Sequence, residues 1–83
     1  MSEQRQIDLQ SVDAYLAERG PGDAVTGRVD SIVGFGTFVE LAPGVHGLLH
    51  ESEYRERPEL GQQLDVRIVD VDRERRRISL TPV

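Results

Sequence analysis

The stretch Val33–Glu53, VGFGTFVELAPGVHGLLHESE, decides the reading of this chain. It contains both phenylalanines of the protein, Phe35 and Phe38, set against Gly34 and Gly36, and it carries both histidines, His46 and His50. Thr37, Val39 and Leu41 alternate with Phe38 and Glu40, the period-two signature of a strand with one face inward. On that parity Phe38 points away from the core side. Phe35 has the parity of Val39, so it reaches the Phe38 face only if the backbone bends at the flanking glycines. Ala42-Pro43-Gly44 reads as a turn, and Val45–His50 as the next strand.

Upstream, Val25, Gly27 and Val29 alternate with Thr26, Arg28 and Asp30 and run on to Ile32, which predicts a first strand over about 23–32. Downstream, Glu51–Gly61 is charged and carries Pro58, a loop with room for one helical turn. Leu64, Val66 and Ile68 alternate with Asp65, Arg67 and Val69 in a long fourth strand, 64–71. Asp72–Arg76 is a polar turn, and Arg77–Thr81 is a short fifth strand with Ile78 and Leu80 inward. Five short strands with an excursion between the third and fourth predict an all-β fold, a small closed barrel.

One element precedes the barrel. Leu9, Val12 and Leu16 fall at i, i+3 and i+7 with Tyr15 beside them, which predicts an amphipathic helix over 8–19. Asp8 is its N-cap, and Gly20-Pro21 stops it. A helix this short is marginal alone and must dock; it is expected to cap an open end of the barrel, a partner interface being the other reading. The division is a tail and helix over 1–21 and a barrel domain over 22–83.

The 83 residues make one domain with one modest core. There is no cysteine, so disulfides and thiolate metal sites are excluded, and two histidines without one make structural zinc a poor fit. No metal or cofactor is expected. No apolar run approaches the roughly 18 residues of a membrane span, and the N-terminus has no secretory pattern, so the cytoplasm is the default compartment. All ten basic residues are arginine. That pattern fits forked donors for phosphate and bases, or the codon usage of a GC-rich genome. The net charge of −5 argues against a strong, nonspecific polyanion binder. Residues 1–24 hold −3 of it and residues 25–83 hold −2, with four arginines gathered between Arg73 and Arg77.

The joint spacing of G27-R-V29, F35-G36-T-F38-V39, G47-L48-L49-H50 and D72…R77-I78-S79-L80 resembles the S1 domain, an RNA-binding module of the OB-fold type, over about residues 22–82. The resemblance implies a five-stranded OB-fold barrel behind one short helix. It implies that Phe35, Phe38 and His50 share an open face, joined by Asp72 and Arg77 from the far end of the chain. Exposed aromatic rings give bases a flat surface to stack on, worth roughly 1–3 kcal/mol per base. His50 can stack or donate a hydrogen bond, and Arg77 can pair with phosphate or stack. Asp72 is expected to orient Arg77 or His50, because a carboxylate facing RNA would be repelled. Arg28 and Arg67 are candidates at the rim. The connection from His50 to Gly61 is shorter than the S1 pattern and acidic, with Glu51, Glu53, Glu56 and Glu59.

The implied function is a non-catalytic module for single-stranded RNA, with single-stranded DNA a weaker ligand, acting as a monomer. The alternative is a protein-interaction or ribosome-associated adaptor that recognises its partner through loop 51–59 or helix 8–19. Catalysis is disfavoured, since the chain lacks a P-loop, a GxSxG elbow and an HExxH motif, and nothing beside His50 and Asp72 supplies a nucleophile. Whether the chain is a whole protein or one of several modules stays open. In an array, avidity raises weak single-copy affinity.

Overall fold

The computed structural model describes residues 14–75 and 77–83. A short helix α1 (14–18) leads into five strands: β1 (Ala24–Val33), β2 (Gly36–Ala42), β3 (Val45–His50), β4 (Gln63–Asp72) and β5 (Arg77–Pro82). A single 3-10 turn, Glu51–Glu53, follows β3. The strands close in the order β1-β2-β3-β5-β4, with β4 returning to β1. All pairs are antiparallel except β3 with β5. This is the barrel that the alternation predicts, with strand limits shifted by a residue or two. Asp8, Leu9 and Val12 of the expected helix, and Arg76 in the last turn, lie outside the described residues.

The inward row is built from β-branched and leucine side chains, which suit a pleated, half-buried surface. Val39, Val45, Leu49, Val66, Ile68, Ile78 and Leu80 form one core cluster, and Tyr15 and Leu16 of α1 are buried in it. Burial pushes the Tyr15 phenol above its ordinary range, and the Arg19 guanidinium, 4.6 Å from the ring centre, partly offsets this. The turn between β2 and β3 needs Gly44, whose φ of 79° lies in the left-handed region. Register shifts between Val29 and Ser31 on β1 and between Ile68 and Asp70 on β4 break the simple alternation. The first turns Ser31 outward, opposite Phe38.

Among the described residues, one polar side chain sits wholly inside. Thr37 is 0% exposed, and its hydroxyl meets the Tyr54 hydroxyl at 2.6 Å, which ties the segment after β3 onto β2. Tyr54→Phe is expected to cost about 1–2 kcal/mol in denaturant unfolding, because the buried Thr37 hydroxyl loses its partner. Adding Thr37→Val should recover most of that loss, since removing both partners leaves nothing unsatisfied. A double variant as unstable as Tyr54→Phe alone would show that the loss does not come from an orphaned Thr37 hydroxyl.

Candidate nucleic-acid interface

Phe35 occupies the tight turn between β1 and β2, and its carbonyl accepts the Glu51 N–H at 3.0 Å. That bond holds the turn beside the end of β3, where Gly36 lies opposite His50. The Phe35 ring therefore meets Phe38 edge to face, with centroids 6.3 Å apart and planes at 86°. It also meets His50 at 6.4 Å and 48°. Phe35 is 52% exposed, Phe38 half-buried and His50 exposed. The bend that parity required is present, and three ring systems share one outer face.

Glycine serves this bend through space. Neither Gly34 nor Gly36 is in the left-handed region. A Cβ on Gly36 would stand 2.6 Å from the Leu49 carbonyl oxygen, so only glycine lets β2 approach β3 this closely.

Leu48 lies opposite Phe38 on the outward side and forms the floor of the face. On one flank a cleft of about 220 Å³ is lined by Phe38, His46, Leu48, Arg75 and Arg77. His46 is held there by Asp30, with Nε2 3.5 Å from Oδ2. Two guanidinium groups beside an aromatic ring suit a backbone phosphate next to a stacked base. On the other flank a wider cleft of about 550 Å³ runs past His50 to Val69, Ser79 and Thr81.

The remaining expected residues are placed as follows. Arg77 lies opposite Asp72 in the β4–β5 register. The Asp72 carboxylate turns to Arg75, accepting its backbone N–H at 3.2 Å and lying 3.8 Å from its Nε. A short aspartate side chain readily bonds the backbone N–H of its own turn, so Asp72 sets the shape of the loop that carries Arg75. Arg28 lies opposite Glu40 and lines a separate cleft with it. Arg67 donates from Nη1 to the Gly22 carbonyl at 2.8 Å, bracing the entry to β1 away from the rings.

Sequence reasoning passed over His46, Leu48, Arg75 and Val69. For His46 and Leu48 the signal was available, since 46, 48 and 50 alternate outward along β3. Val69 carries none: the β4 bulge leaves it 53% exposed among the outward residues. Among the described residues, no group of three or more His, Asp or Glu side chains could hold a metal ion. No described helix is long and apolar enough to cross a membrane.

Comparison with known proteins places this geometry in context. Residues 18–81 match the family model of the S1 RNA binding domain. Small ribosomal subunit protein bS1 of Staphylococcus haemolyticus is 45% identical over 67 residues, which are 71% of this chain and 17% of that protein. The bS1 homolog of Bacillus subtilis is 41% identical over 69 residues, 74% of this chain and 18% of that one. The chain thus spans less than a fifth of the length of these relatives. Among solved structures, an uncharacterized protein of Methanocaldococcus jannaschii superposes with a TM-score of 0.71 at 30% identity, covering 76% of this chain and 90% of that one. The GSP13 protein of Bacillus subtilis gives 0.68 at 31% identity, covering 75% and 54%.

Proposed function

We propose, since the chain belongs to the S1 RNA-binding domain family, that it is a non-catalytic module that holds single-stranded RNA on the Phe35–Phe38–His50 face. The observation that carries this reading is the exposed three-ring cluster beside a cleft lined by Arg75 and Arg77. Bases stack on the rings, and the two guanidinium groups take adjoining phosphates. Stacking accepts every base, so the platform itself is tolerant of sequence. Single-stranded DNA offers the same faces and phosphates and binds more weakly for want of the 2′-hydroxyl. The chain works as a monomer in the cytoplasm, and the kinship with bS1 proteins points to RNA of the translation apparatus.

Affinity of one copy is modest. Two neutralised phosphates predict that log K falls against log salt with a slope of about −1.4, and a Kd in the micromolar range or weaker is typical of such contacts. The test is a titration with a short single-stranded RNA, followed by amide and aromatic NMR shifts at low and then physiological salt. Signals of Phe35, Phe38, His50 and Arg77 should move together, and the movement should shrink as salt rises. If they stay still while the protein remains folded, the face is idle and the adaptor reading takes over.

A further inference from the structure

The wider cleft differs in chemistry from the arginine-lined one. It is lined by Leu48, Val69 and Leu80 together with His50, Ser79 and Glu53. Glu53 belongs to the 3-10 turn after β3, and Thr81 of β5 donates its hydroxyl to Glu53 Oε1 at 2.7 Å. The turn thus carries a carboxylate, tethered by Thr81, into the lining of a mostly apolar cleft. Arg75 and Arg77 line the opposite flank of Leu48. Among the described residues, no arginine lines the Glu53 cleft.

A carboxylate in the lining of such a cleft repels phosphate and accepts N–H donors. The cleft volume of about 550 Å³ lies in the range of small-molecule sites, roughly 300–1,000 Å³. It is continuous with the stacking face, because His50 meets Phe35 and also forms its wall. A base that leaves the rings toward β5 therefore meets apolar side chains and the Glu53 carboxylate in one cleft.

We infer that this cleft is a nucleobase subsite that selects guanine, with Glu53 as the residue that determines the preference. The inference rests on the RNA-binding reading above and adds one selective position to an otherwise tolerant platform. Guanine presents N1–H and the N2 amino group side by side, matching the two oxygens of one carboxylate. Adenine and cytosine present an amino group beside an acceptor nitrogen. Uracil presents one N–H between two carbonyl oxygens, which face the carboxylate unfavourably. Thr81 positions the acid: its hydroxyl occupies one lone pair of Oε1 and leaves the other, together with Oε2, for the two N–H donors of the base.

The experiment uses labelled hexauridine and two relatives with one central guanosine or inosine, titrated with the whole chain and read by fluorescence anisotropy. Inosine keeps the ring and N1–H of guanosine and lacks only the N2 amino group. The guanosine strand should bind about five- to tenfold more tightly than the inosine strand, the lower part of the range for a bidentate pair to a base edge. In Glu53→Gln that ratio should fall toward one, while all three strands bind slightly better because a negative charge is gone. A carboxylate acting only through its charge would raise all three and leave the ratio intact, which overturns the inference. Equal binding of the three strands to the wild-type chain overturns the subsite and leaves the stacking platform standing. Failure of all three to bind overturns the RNA-binding reading together with the subsite.

Discussion

Phe35→Ala is expected to weaken binding of a short single-stranded RNA by roughly tenfold, within the 1–3 kcal/mol that one base–aromatic stack contributes. The folded protein should barely notice. Phe35 is 52% exposed, sits in a turn and lies outside the core cluster, so its removal opens no cavity. Phe38→Ala makes an instructive contrast. Phe38 is half-buried and lies opposite Leu48, so its loss should lower affinity by a similar factor and stability by about 1 kcal/mol as well. Anisotropy titrations at low salt, paired with thermal melts, separate the two effects. Phe35→Trp should retain binding, since a larger ring keeps a face for the base. If Phe35→Ala binds as tightly as the wild type, the turn ring is only a shield for Phe38, and stacking is confined to Phe38 and His50.

How far the sequence discloses all this depends on the range of the interaction. Leu64, Val66 and Ile68 alternate so cleanly that β4 is visible without a partner strand, and the same holds for Thr37, Val39 and Leu41 on β2. The regularity fails at Asp30 and Val69, where one extra residue enters a ladder. Nothing in VDS or IVD signals that insertion, because either tripeptide pairs equally well without it. Each bulge matters to the face: one turns Ser31 toward Phe38, the other leaves Val69 exposed near His50. The clefts are hidden for a different reason. They form between β3 and β5, strands about 30 positions apart whose parallel register sets Leu48 against Ser79. Family resemblance supplied Phe35, Phe38, His50 and Arg77 as a group. It pointed to Arg67 as well, whose guanidinium bonds the Gly22 carbonyl 45 positions away, a contact that no local pattern signals. The role of Asp72 differs for a local reason: a backbone N–H three residues on is nearer than any more distant side chain.

The glycines around Phe35 yield the second large effect, and they separate two explanations of why they are there. If glycine were required for an unusual backbone angle, both Gly34→Ala and Gly36→Ala would be costly. Neither residue has a positive φ, and a Cβ on Gly34 meets nothing within 4 Å. Gly34→Ala is therefore expected to change stability by no more than about 0.5 kcal/mol, as at an open surface site. At Gly36 the added Cβ would lie 2.6 Å from the Leu49 carbonyl oxygen, 3.1 Å from Leu48 Cδ1 and 3.2 Å from His50 Cα. The closest of these is backbone, which cannot swing aside, so β2 and β3 must part. Overpacking of this kind costs about 1–3 kcal/mol. In a domain of this size each kcal/mol lowers Tm by about 4–8 °C. The damage reaches the RNA face as well, because Gly36 is the neighbour of Phe35 and the register partner of His50. Gly36→Ala should thus lose affinity beyond its loss of folded protein, while Gly34→Ala keeps both. Thermal melts and RNA titrations of the two variants side by side make the comparison. Equal behaviour of the pair would mean that β2 and β3 can separate freely, and the close approach of the strands would no longer explain how Phe35 and His50 are held together.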